Sequence, residues 1–227
     1  MHRSLRATTL GGLLALGTLG AGLAGCSNQR ALPMVHAAGN EAYQRGNYEQ
    51  AIVEYKEYID RKPYDAHVRH NLAKAYLAAG DAQMAREHAT VCHDIDPANT
   101  EYSATLAEAM LKTNDLDGLF AFLRSEAAQR GRPADFILLG RYLARVGTAD
   151  EAEDAFLAAA RVDRGQTVEP QWELANFYRA IGAADKETER LRMILWLRPE
   201  DPEATARLRE LGKVPGPSYA LPPAERV

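Results

Sequence analysis

Cysteine is almost missing from this chain. Cys26 and Cys92 are the two among 227 residues, too few for the disulfide framework that staples small secreted domains. Aromatic residues make up 7%, and alanine is abundant instead, a balance that favours helices packed closely through small side chains. Basic charge is not in surplus. The formal net charge is −4, and Arg3 and Arg6 both fall in the opening segment, so the body is more acidic still. Such a chain carries no electrostatic footprint for nucleic acid. The common catalytic signatures are missing as well: there is no G-x-S-x-G, H-E-x-x-H, phosphate-binding loop or paired C-x-x-C.

What is left for metal chemistry is thin. His88 and Cys92 are four apart on one helical stretch, with His93 beside them, a spacing that can hold zinc. No third ligand converges on them, and Cys92 falls on an apolar stripe as a small buried hydrophobe. His67 and His70, three apart, read as a solvated or groove-lining pair. No cofactor is expected.

Apolar residues reach 46% and charged residues 26%, enough of both for a folded, soluble body. The start of the chain is different. "MHRSLR" carries two arginines and no acid, and residues 7–25 are uncharged and glycine-rich, the layout of a secretory signal. A run of this length could just span a bilayer, although its glycines weaken both helicity and hydrophobicity. Gly20 to Gly25 spells G-x-G-x-x-G, but with no strand before it that pattern does not denote a dinucleotide site. Leu23-Ala24-Gly25-Cys26 resembles the lipobox of bacterial lipoproteins. The resemblance implies cleavage before Cys26, a diacylglyceryl thioether on its sulfur and an acylated amino group, which together make a lasting bilayer anchor. An uncleaved membrane span is the alternative. Ser27 follows where an aspartate would mark inner-membrane retention in some bacteria, so the resemblance points to the outer membrane, facing the periplasm. Residues 26–32 then form a tether reaching about 25 Å at most.

Beyond the leader the sequence repeats itself. Gly46, Gly80, Asn114, Gly147 and Gly182 recur at spacings of 34, 34, 33 and 35, each between two apolar-periodic segments of helical length. The first segment of each pair carries a small residue (Gly39, Ala73, Ala107, Gly140, Ala175), and the second answers with Ala51, Ala85 and Ala152. Larger residues such as Tyr55, Phe156 and Leu191 fill the flanks. Asp81 and Asp115 suit helix N-caps, Thr148 with Glu151 fits a capping box, and Pro63, Pro97 and Pro199 close units 1, 2 and 5. Leu119 and Glu187 break the small-residue pattern in units 3 and 5.

These five units resemble tetratricopeptide repeats. The resemblance implies an all-α, right-handed α-solenoid of about five helix-turn-helix units spanning 33–200, at about 32–65, 66–99, 100–132, 133–167 and 168–201. A capping helix at 201–212 follows, with Asp201 as cap, Pro202 at its first position and Gly212 at its end. Residues 213–227 hold four prolines without periodicity, and are expected to be an extended, mobile tail: a frayed terminus or a proline-rich docking peptide.

In that family the first helices line a concave groove that takes partner segments. Carried over, the groove candidates are His36, Asn40 and Tyr43, then His67, His70, Asn71 and Lys74, then Glu101 and Glu108, with Thr105 beside them. Arg141 and Arg145 follow from unit 4, and Trp172, Asn176 and Arg179 from unit 5. Amides suit a peptide backbone, arginines suit carboxylates and a tryptophan suits an apolar anchor; the alternative is a merely solvated solenoid face. Some repeat domains of this family clamp a terminal carboxylate with cations, but here those places hold His36, Asn40, Asn71, Glu101 and Thr105, and Glu101 would repel it. The expectation is a non-enzymatic, lipid-anchored adaptor for another envelope protein or peptide segment, in pilus or secretion-system assembly, outer-membrane biogenesis or cell-wall enzyme regulation. A self-assembling structural component is the alternative, and an enzyme or metal protein on a repeat frame a more distant one. The oligomeric state is not legible.

Overall fold

The computed structural model describes residues 29–226. The expected signal at 1–25, Cys26 and the start of the tether lie outside the described residues. From Leu32 onward the chain forms one compact unit. Its described residues hold eleven α-helices, two short 3-10 turns and no strand. No helix among them is long and apolar enough to cross a membrane.

The helices pair in chain order. They run α1 (Leu32–Gln44) with α2 (Tyr48–Arg61), α3 (Ala66–Ala79) with α4 (Ala82–Ile95), and α5 (Thr100–Lys112) with α6 (Leu116–Arg130). Then come α7 (Pro133–Val146) with α8 (Ala149–Asp163), α9 (Glu169–Ala180) with α10 (Ala184–Leu197), and finally α11 (Pro202–Glu210). Each element packs on the next, giving the expected solenoid of five helical pairs and a terminal helix.

Close pairing comes from a register that recurs in every unit. The small residue of each first helix lies sixteen positions before its counterpart on the second: Gly39 and Tyr55, Ala73 and Ala89, Ala107 and Leu123, Gly140 and Phe156, Ala175 and Leu191. All ten are buried. Where the partner is aromatic the small residue is glycine, and the fit leaves no room for more. A methyl group on Gly39 would stand 2.6 Å from Tyr55 Cε1, and one on Gly140 2.7 Å from Phe156 Cε1, inside van der Waals contact. Where the partner is Ala or Leu the small residue is Ala, and each such pair shares a core cluster.

The two departures from the small-residue pattern have structural consequences. Leu119 is fully buried where units 1, 2 and 4 carry alanine, and α6 accordingly runs less close to α5 than second helices do to first helices elsewhere. Glu187 is buried because Arg207 of α11 reaches it, with Nε and Nη2 donating to Oε1 at 3.0 and 2.5 Å. The acid therefore marks where the array ends and the cap begins.

The turn residues Gly46, Gly80, Asn114, Gly147 and Gly182 all have positive φ, the left-handed conformation that ends a helix. Units 3 and 4, which lack a closing proline, end on left-handed Gly131 and Arg164 instead. Asp81, Asp115 and Asp201 cap their helices by accepting from the backbone N–H of Met84, Gly118 and Ala204. The capping box at Thr148 does not form. Its hydroxyl donates to the Leu143 carbonyl at the end of α7, 3.1 Å away, and Glu151 pairs with Arg124.

The expected mobile tail is a second correction. Lys213 onward folds back over α10 and α8, with Leu221 N–H donating to the Arg192 carbonyl at 3.1 Å and Glu225 paired to Arg190 at 2.6 Å. Proline and glycine deny this stretch an α-helix, but not a docked course through two short 3-10 turns, Pro217–Tyr219 and Ala224–Arg226.

The Glu187–Arg207 pair gives a test of the cap. Arg207→Met should leave the Glu187 carboxylate buried without its counter-charge and destabilise the C-terminal units by about 3–5 kcal/mol, read as a lowered urea midpoint. Adding Glu187→Ala, which restores the small residue of the other units, should recover most of the loss.

Candidate functional site

The first helices α1, α3, α5, α7 and α9 carry the candidate residues. In units 1 and 2 the structure gathers four of them. Asn40, Tyr43, Asn71 and Lys74, with Gln44 and Tyr55, line an open hollow of about 330 Å³ between α1 and α3. Tyr55 donates its hydroxyl to Asn40 Oδ1 at 2.8 Å, which fixes the amide and leaves its NH₂ available. Lys74 Nζ stands 5.9 Å from the Tyr43 ring centroid, a cation held over an aromatic wall. His36 packs against Tyr55 and Tyr58, meets the exposed His67 edge-on at 5.8 Å, and lies 3.5 Å from Asn71 Nδ2. The hollow thus offers amide donors and acceptors, two phenol rings and one cation. Tyr55, first a space-filling partner of Gly39, is also its floor. Burial, with the nearby Tyr43, pushes its hydroxyl up to about 12, so it stays a neutral donor.

His70 does not belong to the groove. It is 5% exposed, its Nε2 lies 2.7 Å from Thr105 Oγ1 and its ring packs on Tyr102, so it joins unit 2 to unit 3. Spacing placed it beside His67, but three residues along a helix turned it into the seam between repeats.

In units 3 to 5 the groove arginines are already paired. Arg145 grips Glu108 with two nitrogens at 2.5 and 3.3 Å, and Arg141 grips Glu173 at 3.0 and 2.5 Å. These forks tie α5 to α7 and α7 to α9, each partner about one repeat along the chain. Hydrogen bonding from Arg145 holds the Glu108 carboxyl below its ordinary value. Both pairs are partly exposed, so each stabilises modestly, but neither arginine stands ready as an unpaired anion site. Glu101 and Arg141 share a shallow hollow of about 520 Å³, and Arg141, Arg145 and Asn176 rim another of about 600 Å³ floored by Phe156 and Phe177.

The unit 5 candidates are taken by the cap. Arg207 lies 5.3 Å from the Trp172 ring and donates to Asn176 Oδ1 at 2.6 Å, while Arg179 pairs with Glu210 at 3.3 Å. Trp172 packs against the core around Leu191 and Leu208. It is part of the seal between array and cap, not an anchor for a partner. Glu173 was legible as an acid one repeat beyond Arg141; Arg207 carried no such signal.

Neither half of the His88–Cys92 pair is directed at a shared ligand. Cys92 is buried with Sγ 3.5 Å from the Ala66 carbonyl, and burial pushes its thiol up to about 12. His88 stacks on Tyr76 and meets Arg69.

Helical pairs packed in succession define a helical-repeat protein. Residues 42–89 match the family model of the tetratricopeptide repeat, and the fold is that of tetratricopeptide-repeat proteins. A thermophilic protein of this kind from Thermus thermophilus superposes with a TM-score of 0.54 at 20% identity, over 80% of this chain and 98% of that one. PilF of Pseudomonas aeruginosa gives 0.52 at 16% identity, over 80% of this chain and 82% of that one. MamA of Desulfovibrio magneticus RS-1 gives 0.51 at 16%, over 75% and 97%.

His70 makes stability pH-dependent. Burial, helped by the charge of Lys74, lowers its imidazole from 6.5 to about 4. The unfolded chain therefore takes up a proton near pH 6.5 that the folded chain refuses until about pH 4. Stability is full above the unfolded value and falls with pH across that interval, by on the order of 3 kcal/mol. His70→Gln should flatten the urea midpoint's pH profile over this range. A residual slope of the same sign should remain from His88, which is also lowered, first by burial and then by Arg69.

Proposed function

We propose that this chain is a non-enzymatic protein–protein adaptor of the bacterial cell envelope, and that its partner is taken at the first two repeats. The observation that carries this reading is the hollow between α1 and α3, where Asn40, Tyr43, Asn71 and Lys74 converge. Units 3 to 5 satisfy their own charges through Arg145–Glu108, Arg141–Glu173 and the Arg207 seal. Units 1 and 2 keep an accessible lysine and two side-chain amides, the groups that hold an extended peptide backbone and an acidic side chain. The ligand on this reading is an extended segment of another envelope protein, with at least one carboxylate to meet Lys74.

Anchoring is the second part of the proposal. Acylated Cys26 tethers the array to the outer membrane on its periplasmic side, so that a captured partner is held at the bilayer.

Site-specific photo-crosslinking in living cells tests both parts. A crosslinker at Tyr43 or Asn71 should capture one dominant envelope protein that is not captured from Thr90, an exposed residue of α4. Cys26→Ala should move the chain from the membrane fraction to the soluble one. Equal capture from Thr90 would contradict the groove reading, and capture of the chain by itself would favour self-assembly.

A further inference from the structure

The second-helix side of units 4 and 5 carries a binding feature that the groove reading does not use. Beyond Gly212 the chain crosses a short hinge in which Val214 is 86% exposed and Gly216 has open space around it. Two short 3-10 turns, Pro217–Tyr219 and Ala224–Arg226, then flank residues 220–223, where Pro223 is buried and Pro222 exposed. Tyr219 lies over the Arg192 guanidinium at 4.7 Å, and its carbonyl accepts from Arg192 Nε at 2.8 Å. Leu221 N–H donates to the Arg192 carbonyl at 3.1 Å. Pro223 fits against Gly165, where an added methyl would stand 2.5 Å from its Cβ. Arg226 covers the Trp196 ring at 4.4 Å.

The end of this course is a built polar site. Gln171 is 0% exposed, and Arg190 is buried beside it on α10. Arg190 Nη1 donates to Gln171 Oε1 at 2.9 Å and to Glu225 Oε1 at 2.6 Å, and Gln171 Nε2 donates to Glu225 Oε2 at 3.1 Å. Among the described residues Glu225 is the carboxylate ion-paired with Arg190. Burying a guanidinium is costly unless an acid meets it, and the acid here comes from a segment outside the repeats. Leu191 and Leu195 of the last unit share a core with Ala204 and Leu208 of α11, and Tyr219 and Ala220 of the tail pack against that core.

We propose that Arg190, Gln171, Arg192, Trp196 and Gly165 form a second peptide-binding site, distinct from the hollow between α1 and α3. Its ligand class is a proline-bearing segment with a glutamate two residues after the proline. The chain's own residues 219–226 occupy it in cis, and the short hinge keeps their effective concentration near the millimolar range, so that they exclude any competing segment. A partner segment of this chemistry enters when the tail is released.

Releasing the tail in the full chain tests this. Glu225→Arg sets two guanidinium groups against each other and leaves every body residue unchanged. A fluorescent synthetic peptide of residues 217–226, followed by anisotropy, should bind this variant and not the unaltered chain. The same peptide with glutamine in place of Glu225 should bind about tenfold more weakly or worse. Gly165→Asn added to the variant should abolish binding, because its Cβ meets the peptide's proline. If Glu225→Arg loses its helical circular dichroism, a full chain with a protease site in the hinge serves instead: it folds with the tail in place, and cutting should let the labelled peptide exchange in. A folded variant or cut chain that ignores the peptide, or takes the glutamate and glutamine peptides equally, overturns the proposal.

Discussion

The separation between the two helices of a repeat is the constraint on which the rest of this structure depends. One side-chain pair per unit, sixteen residues apart, marks it: glycine against Tyr55 or Phe156, alanine against Leu123, Leu191 or Ala89, with the buried Leu119 widening unit 3. Interiors are close-packed, so a single methyl group at such a point is felt by the whole pair. Tyr55 makes the link to function concrete, because the ring that fills the space left by Gly39 also floors the hollow beside Asn40 and Tyr43.

The two ends of the array solve different problems. The last repeat has no successor, and its pattern changes to suit: Glu187 replaces the usual small residue, and Arg207 fills the gap while closing over Trp172 and Asn176. That closure uses up the recognition groups of unit 5. The arginine–carboxylate forks do the same in units 3 and 4. What stays accessible is concentrated in the first two units.

Much of the architecture was legible because repetition exposes it. The turn residues at near-constant spacing, Asn114 included, marked positive φ in every unit, and the small residues of the first helices marked the points of closest approach. Individual groove residues were less legible. Periodicity says which face a residue shares, but not whether the next repeat buries it, as with His70, or pairs it, as with Arg141 and Arg145. The cap was visible as a helix, yet the reach of Arg207 to Trp172, Ala175, Asn176 and Glu187 was not. The tail misled for a physical reason: proline content rules out a helix, while the docking of Glu225 depends on Arg190 and Gln171, buried charge and amide that no local pattern announces.

The most direct test of the central constraint is a double-mutant cycle at Gly140 and Phe156, measured by equilibrium unfolding. At an unconstrained helix position Gly→Ala stabilises by up to about 1 kcal/mol. Here Gly140→Ala should instead destabilise by about 1–3 kcal/mol, and Phe156→Leu should relieve much of that, giving a coupling energy of at least about 1 kcal/mol. A stabilising Gly140→Ala, or effects that simply add, would contradict the account.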